Sequence, residues 1–353
     1  VFEYVGNLHI HSLYSDGRRS IAEIARIAAD QGLDFVGIND HNTLRGQIEV
    51  GEGWREGVFV LIGEEIGLTK HHYIAYGIQQ AIAPCEGDPQ RVIDEVRNAG
   101  GIGFIAHPHE RGSPFDCGGR AFTWDDWSVH DYTGISIWCH CSGWKGTTTN
   151  LVTAIHNYYH HRWSFTGPYP ETLSVFDSES SRRRISLIGS SDAHEVVLGR
   201  KPFRVVVFPY AVSFRAVNMH LVLREQMVGD AHADRTAILN ALRSGNGFVG
   251  YDALCNSTGF RFSVVRGGET EATMGEDIEL RDDTELVVKA PTRGVIRIVR
   301  NGMKLIEETA TTVSYPLKRK GTYRAEVLSV HGLRRPRPWI FSNPIYVRDA
   351  RPS

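Results

Sequence analysis

Between Val5 and about Gly250, short apolar runs alternate with stretches of helical periodicity, the pattern of a βα architecture. Ser20 reads as an N-cap and Glu23 completes a capping box. Ile21, Ile24, Ala25 and Ala28 then form one apolar helical face, which Gln31-Gly32 brings to an end. Buried strands are expected near residues 35–38, 58–62, 72–77, 102–106, 134–138 and 185–188, with a helix over 89–99 whose Pro89 suits the first turn.

Polar residues collect where these strands finish. The second strand runs into Asn39-Asp40-His41-Asn42-Thr43, the third into Gly63-Glu64-Glu65, a later one into His107-Pro108, and the last into Ser191-Asp192-Ala193-His194. In a parallel barrel that rim is where an active site is built. Ahead of them, His9 and His11 stand two residues apart on the first strand, so their rings are expected on one face, and Asp16 follows in a Ser-Asp-Gly turn as a harder oxygen ligand. An isolated His-x-His is equally well explained by two histidines on a polar strand face. The later strand ends change that balance.

The rhythm alters twice. Over about 117–169 the aromatic density rises, with Phe122, Trp124, Trp127, Tyr132, Trp138, Trp144, Tyr158, Tyr159, Trp163 and Phe165. Such an insertion is either self-packed or a wall for an apolar part of a substrate. After about Leu254 the βα alternation stops: Phe260, Phe262 and Val264, then Tyr323, Ala325 and Val327, alternate with polar neighbours, and Asn301-Gly302 signals a hairpin. We read 1–253 as one α/β unit and 254–353 as a small all-β sandwich with a structural or docking role.

Composition narrows the function classes. A net charge of -2 argues against stable nucleic-acid binding through bulk positive charge. No run approaches the ~20 apolar residues of a spanning helix, and peripheral membrane contact and oligomeric state stay open. Five cysteines are too scattered for a disulfide framework or a zinc knuckle. The chain begins at Val1 rather than Met, and a processed, exported form is favoured over a cytoplasmic one.

Collected from the rim, the metal candidates are His9, His11, Asp16, His41, Glu65, His72, His107, Asp192 and His194. Mixed imidazole and carboxylate ligation suits Zn, Mn or Fe rather than Mg or Ca. Nine ligands exceed the needs of one ion and match two or three divalent ions sharing a bridging carboxylate.

Six pieces carry a family resemblance: His9-Ile10-His11 with Ser15-Asp16-Gly17, Asp40-His41-Asn42-Thr43, Gly63-Glu64-Glu65-Ile66, His72-Tyr73-Ile74-Ala75-Tyr76-Gly77, Ala106-His107-Pro108 and Ser191-Asp192-Ala193-His194. In this order they resemble the polymerase and histidinol phosphatase (PHP) superfamily of metal-dependent phosphoesterases, over roughly residues 1–250. The resemblance implies a distorted (β/α)7 barrel with a di- or trinuclear centre. One ion would take His9, His11, Glu65 and Asp192, a second Asp16, His41 and His194, and a third His72 and His107 with Glu65 bridging. Glu65 rather than Glu64 fits the family's Gly-x-Glu. The segment Pro338-Trp339-Ile340-Phe341-Ser342-Asn343-Pro344-Ile345-Tyr346-Val347 is similar to the C-terminal β extension of larger PHP hydrolases grouped with carbaryl hydrolase.

One departure stands out. Where many relatives read Gly-Ile-Glu-Val-Tyr-Asn, this chain has Gly134-Ile135-Ser136-Ile137-Trp138-Cys139, followed by His140-Cys141. His140 is then an extra ligand, a general acid or a packed histidine.

Metal coordination lowers the pKa of water from ~15.7 toward ~7, so a metal-bridging hydroxide is the expected nucleophile. His109 and His140 are the candidates for protonating a leaving group, and Arg111 and Arg200 for clamping a phosphate, unless these arginines are structural. The run Arg182-Arg183-Arg184 reads as a solvated helix end. The leading expectation is a phosphoesterase acting on an anionic small-molecule or lipid-like monoester or diester. Hydrolysis of a carbamate, ester or amide at the same centre is the alternative, and a non-catalytic metal-binding module is the third.

Overall fold

A computed structural model describes residues 1–198, 204–330, 332 and 335–349. It is a mixed α/β structure built on one large sheet. The strand Phe2–Ile10 pairs in parallel with Phe35–His41, which pairs in parallel with Val58–Ile66. Tyr73–Tyr76 runs antiparallel to Val58–Ile66 and to Ile102–Ile105; Gly134–Cys139 and Ser186–Ser190 then continue in parallel. Six of these strands therefore share one direction and deliver their C-terminal ends to a common edge. Tyr73–Tyr76 is reversed, so the residue before it, His72, reaches the same edge.

The last parallel strand returns to the first. The Ser191 amide donates to the Leu8 carbonyl at 2.9 Å, and the His11 amide to the Ala193 carbonyl at 3.0 Å. Leu8, Ile10, Val36, Ile38, Val60 and Leu61 are fully buried beneath this edge, and sheets buried on both faces read as near-continuous apolar runs. The helix Ile21–Asp30 begins at Ser20 with its capping box formed, and buries Ile21, Ile24, Ala25 and Ala28. Pro89–Asn98 opens on Pro89, with Asp88 accepting from the Arg91 amide.

On the other side, Val217–Leu223 pairs antiparallel with Phe2–Ile10 and with Gly247–Tyr251. Gly247–Tyr251 in turn pairs with Arg337–Ser342, so hydrogen bonding runs on into the C-terminal strands. There the long strands Thr284–Arg300 and Met303–Pro316 meet at Asn301-Gly302, both with positive φ (47° and 79°), as a tight twisted hairpin requires. Among the described residues no helix is long and apolar enough to cross a membrane.

The aromatic stretch over 117–169 follows the self-packed alternative: Trp124, Tyr132, Trp138, Trp144 and Phe165 are buried in the main core, and Trp127 and Trp163 pack against it. One expectation is corrected here: Arg183 and Arg184 are not simply solvated. Arg183 stacks over Tyr132 at 4.1 Å and donates to its carbonyl, and Arg184 binds Asp277 and the Gly275 carbonyl of the C-terminal region.

Candidate metal centre

Glu65 organises the site. Its Oε2 has His9 Nε2 at 3.0 Å, His41 Nδ1 at 3.1 Å and His11 Nε2 at 3.3 Å; its Oε1 has His72 Nδ1 at 2.8 Å and His107 Nε2 at 3.2 Å. Asp192 faces the same rings, 3.2 Å from His11 and 3.4 Å from His9. Asp16 completes the outer side, 3.2 Å from His194 Nε2 and 3.6 Å from His41 Nε2. All nine candidate ligands thus come together at the shared strand edge.

Their ligand atoms fall into overlapping groups. His9, His11, Glu65 and Asp192 form one set, and Asp16, His41 and His194 another, to which His11 also belongs. The remaining rings gather differently. His72 groups with His41 and Glu65, while His107 groups with Asp192 and Glu110.

The expected face-sharing of His9 and His11 is achieved by an irregular route. His9 has φ 63°, and the register against Phe35–His41 slips between Asn7 and Ile10. Asp192 (φ 54°) and His107 (φ 26°) are also left-handed. Such backbone persists where its surroundings over-determine it, and here it turns side chains to one point.

Supporting hydrogen bonds fix the ligands. His107 Nδ1 donates to the Phe122 carbonyl at 3.1 Å, and His194 Nδ1 to the Asp192 carbonyl at 2.9 Å. Each bond assigns a proton to Nδ1 and aims Nε2 at a carboxylate. Asp40 accepts from the Ser12 amide, the Ser12 hydroxyl and the Ser15 hydroxyl at 2.6–2.7 Å, anchoring the loop that carries Asp16.

Electrostatically the centre is tightly coupled. Burial opposes the charge on Glu65, yet the surrounding imidazoles hold it well below the usual carboxylate range; Asp192 behaves alike. Burial lowers His9, and it pushes His41 down to about 4. His107 rises to about 9 because the carboxylates outweigh its burial. A chemical fit to cations follows from the bonding. His9 Nδ1 and Nε2, His11 Nε2, His72 Nε2 and Glu65 Oε2 are buried without hydrogen-bond partners, although opposing atoms lie close. Converging lone pairs of imidazole and carboxylate suit transition-metal ligation.

Glu64 is turned to the other face of its strand. It accepts from the Ile82 amide at 2.9 Å, and burial pushes its carboxyl up to about 7.

The cavity over the centre has a volume of about 470 Å³. Beside the ligands it is bordered by Arg18, Phe122, Cys141 and Lys145. Lys145 is buried, with Nζ 3.2 Å from Glu110 and 3.0 Å from Asp116. Sequence reading passed over both Lys145 and Asp40. The available signals were a lone lysine six residues beyond the rim residue Cys139, and a carboxylate next to His41 in its own motif.

Of the proposed catalytic side chains, the three within the described residues do not gather here. His140 is packed between Phe165 and Phe208, with ring centroids at 4.6 and 4.9 Å; both its nitrogens lack partners, and burial pushes it down to about 3. A proton donor needs reach and a working pKa, and His140 has neither. His109 stacks on Trp127 and bonds Thr172. Arg111 is exposed and pairs with Glu171. Arg200 lies outside the described residues.

No family model matches the chain. It is similar to the uncharacterized protein MJ1587 of Methanocaldococcus jannaschii, at 32% identity over 115 residues, covering 29% of this chain and 67% of that protein. Among solved structures it is similar to a two-domain Bacteroides vulgatus protein containing a predicted PHP-like metal-dependent phosphoesterase (TM-score 0.46, 14% identity, 97% of this chain and 95% of that one). It is also similar to a candidate metal-dependent phosphoesterase from Bifidobacterium adolescentis (TM-score 0.33, 15% identity, 54% of this chain and 87% of that one). An amidohydrolase from Chromobacterium violaceum gives a TM-score of 0.34, with 15% identity and the same coverage, 54% and 87%.

Proposed function

The chain belongs to the same family as MJ1587 of Methanocaldococcus jannaschii, and since that relative is uncharacterized, we propose from the site itself that it is a metal-dependent phosphoesterase of PHP type. One observation carries the proposal: five imidazoles surround the buried carboxylate of Glu65. Without cations, so many rings on one carboxylate would leave buried nitrogens unsatisfied, at a cost of about 1–3 kcal/mol each.

In this reading residues 1–253 form the distorted (β/α)7 barrel and 254–353 the β-sandwich. Two or three Zn, Mn or Fe ions would be held by His9, His11, Glu65 and Asp192, by Asp16, His41 and His194, and by His72 and His107 with Glu65 shared. Bound there, such ions activate water at neutral pH and neutralise charge developing on the substrate.

The chain's own residues supply orientation and access. The Phe122 and Asp192 carbonyls keep the His107 and His194 rings in one tautomer. Asp40 holds the Asp16 loop against the centre. Asp16 is 57% exposed and His41 28%, whereas His9 and His11 are sealed, so substrate enters on the Asp16 side. Arg18 borders that cavity as a cation, beside Lys145, whose charge is already shared with Glu110 and Asp116, which supports an anionic phosphoester over a neutral carbamate.

The test is metal analysis of the purified protein together with turnover of p-nitrophenyl phosphate, bis-p-nitrophenyl phosphate and a naphthyl carbamate, before and after chelation. We expect at least two equivalents of transition metal and phosphoester hydrolysis lost on chelation. A wide preference for the carbamate would overturn the phosphoester assignment alone; less than two equivalents, with activity indifferent to chelation, would overturn the metal centre as well.

A further inference from the structure

Among the described residues, two side chains with a permanent positive charge border the cavity over the centre, Arg18 and Lys145. Lys145 is buried, and its ammonium is shared between Glu110 and Asp116. Arg18 is exposed, and among the described residues no carboxylate pairs with it. The next residue behaves differently. Arg19 donates to Glu195 through Nε at 3.1 Å and Nη2 at 2.8 Å, so the Glu195 carboxylate, which also borders the cavity, is already engaged. Of two neighbouring arginines, one holds the wall and the other is left uncompensated at the opening.

The backbone of Arg18 is nevertheless fixed. Its amide donates to the Tyr210 hydroxyl at 3.1 Å, and that hydroxyl donates to the His11 carbonyl at 2.6 Å. Tyr210 is fully buried. Gly17 packs so closely on His11 that a Cβ there would stand 2.1 Å from the His11 carbonyl oxygen. One pinned turn therefore carries both Asp16, the exposed candidate ligand, and the guanidinium two residues on.

The fork of N–H donors on a guanidinium matches phosphate oxygens in a fixed geometry. A phosphomonoester brings about two negative charges at neutral pH and three acceptor oxygens, whereas esterification a second time removes one charge and one of those oxygens. An uncompensated cation at the mouth thus favours the monoester, by Coulomb attraction and by a hydrogen bond to the additional oxygen.

We propose that Arg18 is a specificity-determining residue, which binds the dianionic phosphoryl group of a phosphomonoester and selects it over a phosphodiester. This rests on the phosphoesterase reading of the centre and goes beyond it in choosing between the two ester classes.

Calorimetric titration of the metal-loaded chain with inorganic phosphate and with dimethyl phosphate, in wild type, Arg18→Met and Arg18→Lys, tests it without requiring turnover. In Arg18→Met the affinity for inorganic phosphate should fall roughly ten-fold and that for dimethyl phosphate about three-fold or less. Arg18→Lys should lie between, since it keeps the charge and loses the fork. The KM for p-nitrophenyl phosphate should rise in step with the lost phosphate affinity. Metal content and melting temperature should stay at wild-type values, because the side chain is exposed and is not a candidate ligand. Unchanged phosphate affinity in Arg18→Met, an equal loss for both ligands, or a wild-type chain that binds no phosphate would each overturn the proposal; so would loss of metal in Arg18→Met, which would make Arg18 part of the scaffold. If phosphate affinity depends on Arg18 as expected but neither nitrophenyl ester is hydrolysed, recognition of the dianion by Arg18 is supported and the phosphoesterase reading alone fails.

Discussion

His72 Nδ1 lies 2.8 Å from Glu65 Oε1, although Glu65 has a neighbouring carboxylate, Glu64, that could have taken its place. The pleat decides between them: successive side chains in Val58–Ile66 point to opposite faces, and only Glu65 meets the rings. Glu65→Gln should therefore lose bound metal and lower turnover by at least ~10²-fold. Glu64→Gln should retain both within roughly two-fold, because the amide oxygen still accepts from Ile82. Metal analysis beside initial rates on the two variants checks the contrast.

Asp40 is not among the nine candidate ligands, yet it gathers Ser12 and Ser15 beneath Asp16. Asp40→Ala should weaken metal affinity by about 10–100-fold, the usual effect of removing a carboxylate that positions a ligand loop. Competition with a chromogenic chelator measures it. Unchanged affinity would mean that the loop holds its shape without Asp40.

Much of this centre was legible in the sequence, because βα periodicity predicts which residues finish strands and His, Asp and Glu at strand ends stand out. The capped helix after Ser20 and the Asn301-Gly302 hairpin were equally visible, being local signals of propensity and turn chemistry. What was hidden is long-range. Nothing local reveals that the chain folds Phe165 and Phe208 around His140, or that Lys145 points into the same cavity as residues 100 positions away along the chain and more. His9 illustrates the middle case: alternation placed its ring correctly, but through a left-handed residue that alternation does not foresee.

Lys145 combines two roles that substitution can separate. Its ammonium compensates buried Glu110 and also Asp116, and breaking a buried pair costs about 3–5 kcal/mol. Lys145→Met should thus destabilise the chain strongly. Lys145→Met/Glu110→Gln should recover the part of that loss due to Glu110, Asp116 staying unpaired, while KM for an anionic substrate stays raised by roughly ten-fold. Thermal melts give the first comparison and steady-state kinetics the second. Normal KM in the double variant would reduce Lys145 to a structural counter-charge.

His140, expected from sequence as a possible acid, is instead a neutral ring among aromatics with unsatisfied nitrogens. Burial holds its folded value near 3, below the ordinary 6.5. As pH falls below 6.5 the unfolded chain takes up a proton that the folded chain refuses, so stability drops by up to ~1.4 kcal/mol per unit. His140→Leu should remove this acid-side loss, match or exceed wild-type stability at neutral pH, and leave turnover within about three-fold. Urea unfolding at pH 7 and pH 5 tests the sign; a large fall in turnover with intact metal would restore a chemical role.

The opposite sign is expected on the far side of the sheet, where His220 sits between Glu3 at 2.9 Å and Asp252 at 3.1 Å and stacks on Phe248. Burial works against its charge, but the two carboxylates raise it to about 9. Arg261 also faces Glu3, and Asn218 donates to Asp252, so each carboxylate keeps another partner. With the folded value above the unfolded 6.5, this contribution is complete below pH 6.5 and disappears as pH rises through about 9. The interval corresponds to at most roughly 3 kcal/mol. Glu3 and Asp252 are both lowered despite burial, so the same triad weakens again in acid as they protonate. Wild-type stability, followed by urea unfolding, should therefore fall between pH 6.5 and 9.5. In His220→Leu the curve should start lower and lose that alkaline slope; an unchanged slope would place the titration on another group.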